Sequence, residues 1–296
     1  MRQQNLSVSI ILVNYNGADV LPNCLNSLEK YIDKTECEII LVDNASSDGS
    51  PEFVAKNFPR INLIRLAKNI GFGAGNNAGA QVAQGKFLFL LNTDTILTSN
   101  IIPSLKDLMQ KRPEVGAIGP KLLNHDGSFQ VSISKQIGIK GEFETRKMHQ
   151  STQENDKLKL IEQEYQDIRE VDIIVGAAYF IRAELFKSLG GFDEKFFMYF
   201  EESDLCERVK KKGYKILYTP QVSLIHLKGV STQKVANAMV VEYRRSQLCF
   251  YQKHRPIWEN FILRVYLFYK FSLEFVNTGN PYCSKILRLV ISLKST

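Results

Sequence analysis

The first hundred residues repeat a pattern that leaves few folds open to this chain. Apolar, β-branched runs at Val8–Val13, Glu38–Val42, Ile61–Leu66 and Lys86–Leu91 alternate with stretches of helical length and pattern, Val20–Lys30, Pro51–Asn57 and Ala74–Gln84. Such alternation predicts β-α-β units and hence a parallel sheet. Ligands of these sheets sit beyond the carboxyl ends of the strands. Here those ends read Asn14-Tyr15-Asn16, Asp43-Asn44-Ala45-Ser46, Lys68-Asn69 and Asn92-Thr93-Asp94. Any one of them is ordinary turn chemistry. Four in succession predict a polar site along one edge.

From Val115 the pattern changes to short strands and turns, with His125-Asp126-Gly127-Ser128 as a hairpin turn. Residues 140–170 are strongly charged and read as a solvated insertion, and Val171–Ile181 as a central strand. Ser203–Lys212 reads as a helix, acidic at its start, basic at its end and followed by Gly213, which puts Glu201 and Glu202 at its N-terminal mouth. Two further helices, Ile257–Val276 and Cys283–Leu293, close the chain. Charges interrupt both, so neither suits a membrane span. Apart from Lys294, those charges gather on one side, as in a helix lying in an interface.

A chain of 296 residues, 44% hydrophobic and 23% charged, is that of an ordinary globular protein with one main domain and a small appended unit. The five cysteines are scattered, without a Cys-x-x-Cys pair, and suggest neither a disulfide framework nor a zinc site. The apolar run after the polar start is too short for a signal-peptide core, so a reducing, cytoplasmic compartment is expected. Much of the net charge of +7 lies in the tail, where nine basic residues from Arg244 to Lys294 face only Glu259 and Glu274. A cationic tail seeks an anionic surface, lipid headgroups in preference to nucleic acid.

Three constellations carry chemistry. Asp94 follows an apolar strand and can reach a divalent cation at the sheet edge, Mg2+ or Mn2+ for a diphosphate leaving group, although a turn-forming Asp would look the same. Glu201-Glu202-Ser203-Asp204 crowds carboxylates that raise one another's pKa, and it follows an aromatic approach, Phe196-Phe197-Met198-Tyr199, that favours a pocket over simple capping. His226 stands alone in an apolar strand before Gly229. It is either a core histidine or a neutral metal ligand at a strand end.

Together and in this order these segments resemble the inverting nucleotide-sugar transferases of the GT-A fold, in their rhamnosyltransferase-like bacterial branch. The resemblance runs from Val8 to about Pro256 and includes the segments Val42–Ser50, Asn69–Gly79, Leu91–Asp94, Gly176-Ala177 with Arg182, and Phe197–Leu205. It implies an α/β GT-A fold with a nucleotide-sugar half at 1–125, an acceptor and catalytic half at 126–235 with the charged insertion, and a basic helical tail at 236–296. Asp43 would hold the donor base or ribose, with Asn14, Tyr15, Asn16, Asn69, Asn76, Asn92 and Asp94 around the nucleotide sugar. Asp94 and His226 would hold the metal. Gly176, Ala177, Glu201 and Asp204 would meet the acceptor. Glu202 stands where the family usually has the Asp of a Glu-Asp pair, the general base, and this departure leaves Glu201 and Asp204 as rivals. Asn92 replaces the first Asp of Asp-x-Asp found in some relatives.

The resemblance further implies a hexose donor, rhamnose on thymidine diphosphate or a uridine-linked sugar. The acceptor would be a lipid-linked glycan of surface polysaccharide synthesis, met at the inner face of the membrane. Two other functions compete. Gly73-Ala74-Gly75-Asn76-Asn77-Ala78 satisfies a loose dinucleotide fingerprint and would suit an NAD-dependent oxidoreductase. The cationic tail alone would suit a non-catalytic module for membrane or nucleic acid.

Overall fold

The computed structural model describes residues 6–151, 155–227 and 236–292. The polar chain start, Gly229, Leu293 and Lys294 lie outside them. Strand β1 (Val8–Asn14), helix α1 (Leu21–Tyr31), β2 (Cys37–Asp43), α2 (Ser50–Asn57), β3 (Asn62–Arg65), α3 (Phe72–Val82) and β4 (Phe87–Asn92) follow in turn. Strands β3, β2, β1 and β4 lie side by side and parallel, as the alternation requires. Because β1 has β2 on one side and β4 on the other, strand order reverses there. The crevice beyond Asn14 is therefore the topological switch point of the sheet, the place where such sheets generally take their ligands.

The chain continues through β5 (Thr95–Leu97), α4 (Ile102–Lys111), β6 (Val115–Leu123), β7 (Phe129–Gln130), β8 (Ile133–Ser134), α5 (Ile139–Ser151) and α6 (Asn155–Glu164). Then come β9 (Arg169–Glu170), β10 (Ile173–Ile174), β11 (Ala178–Arg182), α7 (Ala183–Ser188), α8 (Glu201–Lys211) and β12 (Lys215–His226). Strand β11 enters the sheet antiparallel between β4 and β6, and β12 and β5 complete it. The expected hairpin turn joins β6 to β7, with Gly127 at φ +81°. The run Val171–Ile181 is not one central strand. Its first part, β10, pairs with β8 in a separate two-stranded sheet, and only β11 is central. An apolar run says nothing of where it bends; Gly176, at the bend, was its single signal.

Both faces of the parallel sheet are covered. Ile10, Leu12 and Leu41 pack with Leu25 and Leu28 of α1 on one side, and Ile11, Ile40 and Val42 lie in the core on the other. Helix α3 contains three glycines, each worth about 1 kcal/mol less than Ala in a helix. Contact with β1 explains two of them: a Cβ on Gly75 would lie 2.8 Å from Val13 Cγ1, and one on Gly79 2.5 Å from Ile11 Cγ2. These glycines let the helix approach β1. Gly73 packs on Phe192, a Cβ there standing 3.0 Å from Phe192 Cβ, so packing accounts for both glycines of the dinucleotide fingerprint, which follows the third strand rather than the first.

The tail forms three helices, α9 (Ala236–His254), α10 (Ile257–Thr278) and α11 (Pro281–Ile291). Leu248, Phe250, Leu263, Leu267, Phe271 and Ile286 share a core with Phe196 and Phe200, which precede α8. The charges of α10 do not face outward as a helical wheel suggested. Arg264 donates to the carbonyls of Val290 (2.6 Å) and Ser292 (2.8 Å), Glu259 accepts from the Ile139 amide (3.2 Å), and Glu274 accepts from the Tyr282 hydroxyl. The apolar side is the exposed one, with Trp258 at 59%, Phe261 at 65%, Tyr269 at 66% and Val276 at 81%. Carbonyls at the end of α11 attract the Arg264 cation inward, as helix C-termini do. Among the described residues no helix is long and apolar enough to cross a membrane.

Candidate active site

The strand ends converge as expected, through side chains that hold one another. Asn14, fully buried at the end of β1, donates from Nδ2 to Asp43 Oδ1 (3.0 Å), Ser46 Oγ (3.0 Å) and Ser50 Oγ (2.8 Å). Asp43 also accepts the Ser46 amide at 3.1 Å. Asn16 accepts the Ser47 amide at 2.8 Å, tying the two loops together. Tyr15 is exposed beside them. Asn44, to which the sequence assigned no role, is buried and joins this edge to the next loop: it donates to Asn69 Oδ1 (2.9 Å) and the Gly71 carbonyl (3.1 Å) and accepts the Ile70 amide (2.9 Å). Asn76 is buried in α3 and bonds the Phe72 carbonyl. Asn92 ends β4 half-buried. Arg182 is structural, clamping the carbonyls of Met109, Arg112 and Val115.

Asp94 and His226 come together although 132 positions separate them, with His226 Nε2 3.4 Å from Asp94 Oδ1 and both residues buried. Pairing of β12 with β5 sets His226 opposite Thr95. Gln130 settles the ring. Its amide nitrogen donates to Asn124 Oδ1 (2.8 Å) and the His226 carbonyl (3.1 Å), so its oxygen must be the atom 2.7 Å from His226 Nδ1. Nδ1 therefore carries a proton, which leaves Nε2 as the ring nitrogen that faces Asp94. An imidazole nitrogen beside a carboxylate oxygen suits a divalent cation whose remaining ligands are diphosphate oxygens and water. Among the described residues no group of three or more His, Cys, Asp and Glu could hold a metal by itself.

The carboxylate cluster separates into two functions. Glu201 is buried behind α3, its Oε2 without a partner, and burial followed by the charge of Glu202 pushes its pKa well up. Glu202 is half-buried, faces Gly176 and Phe72, and is also raised, chiefly by burial, against the opposing pull of backbone amides including that of Gly176. Both carboxyls are thus held up, and the pair resists carrying two negative charges at once. Asp204 points the other way. It accepts from His254 Nε2, Lys253 Nζ (each 2.6 Å) and Arg208 (2.7 Å). Burial would raise its carboxyl, but these partners draw it down to about 2. A carboxylate so held neither takes a proton near neutrality nor reaches an acceptor, so its expected role there is withdrawn. One helical turn separates Glu201 from Asp204, and the sequence did not show which side met the tail.

Ala177 accepts the Asn92 amide at 3.0 Å, so Gly176-Ala177 links the strand end before Asp94 to Glu202. Backbone strain gathers at the same edge. Among the described residues the non-glycine positions with positive φ are Asn16 (52°), Ala45 (64°), Tyr199 (69°) and Phe200 (67°). Two lie in the loops after β1 and β2, and two directly precede Glu201. Each costs about 1–3 kcal/mol and persists only where its surroundings enforce it.

Comparison with known proteins places the chain in a family and a fold. Residues 9–190 match the family model described as Glycosyl transferase family 2. The chain is 26% identical over 268 residues to the N-acetylglucosaminyl-diphospho-decaprenol L-rhamnosyltransferase of Mycobacterium tuberculosis, covering 84% of this chain and 85% of that protein. In fold it resembles the mannosyltransferase PcManGT from Pyrobaculum calidifontis, solved with GDP-Man and Mn2+, with a TM-score of 0.57, 16% identity and coverage of 96% and 70%. It also resembles GalNAc-T7, solved with UDP, GalNAc and Mn2+, at 0.61, 16% identity and coverage of 97% and 54%. At such identities the two structures establish the GT-A architecture alone.

Proposed function

Since this chain belongs to glycosyl transferase family 2, we propose that it moves a hexose from a nucleoside diphosphate to a hydroxyl of a lipid-linked glycan, with inversion at the anomeric carbon. Glu202 carries the reading: a half-buried carboxylate of raised pKa, packed against the segment that adjoins the Asp94 strand end. Inversion needs a base on one face of the sugar and a stabilised leaving group on the other, with no covalent intermediate. Glu202 takes the acceptor proton. Glu201, buried beside it, raises the proton affinity of the pair. A divalent cation held by Asp94 and His226 would neutralise charge developing on the diphosphate.

The donor would lie over residues 1–125, with Asp43, Tyr15, Asn16 and Asn69 around the nucleotide and Asn14, Asn44 and Asn76 shaping the loops from behind. The acceptor would lie over 126–235, at Gly176-Ala177 and Glu202. Rhamnose on thymidine diphosphate is the favoured donor, in view of the mycobacterial relative. Thermal shift against dTDP-rhamnose, UDP-hexoses and GDP-mannose tests it. A donor at a hundredfold over its Kd should raise Tm by roughly 4 °C. The rise should require Mn2+ or Mg2+. Indifference to every sugar nucleotide, with and without metal, would count against the donor site.

The exposed side of α10 suits the inner surface of the membrane, where a lipid-linked acceptor resides. It carries aromatics without an outward charge, and Lys285 and Arg288 stand exposed on α11 beside it to meet anionic headgroups. Trp258 is the single tryptophan of the chain and lies on this side. Its fluorescence should shift to the blue on phosphatidylglycerol vesicles at low salt. Phe261→Glu with Tyr269→Glu should abolish the shift without lowering Tm, and a wild type indifferent to such vesicles would disprove the membrane contact.

A further inference from the structure

Residues 197–200 lead into the carboxylate pair through two consecutive left-handed non-glycine positions, Tyr199 and Phe200. Something must hold them there. From the donor side, the Phe72 amide donates to the Phe197 carbonyl at 3.0 Å, and Gly71 packs so close that a Cβ would stand 2.3 Å from that oxygen. From the other side the hold comes from α9. Ser246, buried, donates its hydroxyl to the Met198 carbonyl at 2.8 Å. Tyr243 meets the rings of Tyr199 (5.5 Å) and Phe200 (5.1 Å), and Phe250 meets Phe200 (5.8 Å). The end of α9 then grips α8 itself, through His254 and Lys253 on Asp204 and Arg255 on Glu207.

We propose that α9 is a positioning element of the transfer reaction, in which Ser246 and Tyr243 hold the Met198–Phe200 backbone so that Glu202 is presented to the acceptor. The inference rests on the reading of Glu202 as the base. Helix α9 lies outside the residues that match the family model, which end at position 190. Its role follows from contacts made here. Ser246 cannot be serving solubility, since it is buried, nor helix capping, since it sits inside the helix and bonds a carbonyl 48 positions away. Relaxing Tyr199 and Phe200 toward negative φ would rotate the start of α8, and with it Glu202, away from Gly176. The donor loops are held by Asn14, Asn44 and Asp43, which α9 does not touch, so donor binding should not depend on it.

The test uses the full-length protein with Ser246→Ala, Ser246→Thr and Tyr243→Leu, the last removing the rings' partner from a more accessible place. Amide exchange, read by mass spectrometry, should quicken about tenfold over peptide 197–204 in Ser246→Ala and Tyr243→Leu, with β1 and β2 unchanged, as for loss of one buried hydrogen bond or ring contact. With the donor and acceptor that the wild type turns over, kcat should fall about tenfold while donor KM stays within about twofold. Ser246→Thr, which keeps the hydroxyl, should restore both. Unchanged exchange over 197–204 would overturn the inference, as would quickened exchange with undiminished kcat. Retention of most activity in Glu202→Gln would refute the base assignment, whereas the exchange data would still decide whether α9 holds the segment.

Discussion

Glu202→Gln is expected to lower kcat by about 10²–10⁴, the range general-base catalysis supplies, while donor affinity in the presence of Mn2+ stays within about twofold. Glutamine keeps the size of the side chain and its packing against Gly176 but cannot take a proton. The loss therefore belongs to the transition state. In the wild type the rate should fall as pH drops through the pKa of Glu202, at a midpoint above the ordinary value of 4.5 because burial raises it. Stability should run the other way. A carboxyl whose folded pKa is raised binds more protons folded than unfolded, so its contribution is fully present below the unfolded value and is lost as pH rises through the raised one. At neutral pH the Glu201–Glu202 pair therefore burdens the fold, and Glu202→Gln should leave Tm unchanged or raise it. That separates a chemical defect from misfolding. Retention of most activity would move the base to Glu201, since Asp204 is held ionised among cations.

Asp94→Ala and His226→Ala are each expected to reduce turnover by about 10³ and to abolish the dependence of donor binding on Mn2+, the scale on which metal stabilisation of a leaving group contributes. Chelator should inactivate the wild type to the same level. A finer expectation concerns Gln130, which touches neither metal nor donor and holds the His226 ring with Nε2 toward Asp94. Gln130→Leu should weaken Mn2+ affinity about tenfold or more, as partners behind a metal ligand commonly do. Mn2+ binding by electron paramagnetic resonance reads this without turnover. Full Mn2+ affinity in His226→Ala would remove His226 from the metal site, leaving it a buried histidine of the β12 edge.

The parallel sheet, its polar rim and the membership in a sugar-transferring family were all legible in the chain. Their information is local: β-branched runs make strands, and the residues that follow a strand must lie at its end. Asn14, Asp43, Asn69 and Asp94 could be assigned to one edge without knowing what they touch. The glycines of α3 were visible too, but their meaning was not, because a Gly-x-Gly spacing is the same whether a helix approaches a phosphate or, as here, Phe192 and Val13. Gln130 left no trace, since its bond to His226 spans 96 positions and any polar residue on a short strand looks alike.

Direction was what only the tertiary structure decided. Periodicity tells which side chains of a helix share a face, but the face that turns inward depends on what packs there. Asp204 and Glu202 sit on one acidic helix start, yet Asp204 meets Lys253 and His254 while Glu202 meets Gly176. On α10 the charges lie together as the wheel predicts, and they turn toward the protein because the carbonyls of Val290 and Ser292 attract Arg264 more strongly than open solvent rewards its exposure. The aromatic side is left outside. Whether a charged face meets water or its own chain is set by the partner's charges, and those come from segments too distant in the chain for any local pattern to record.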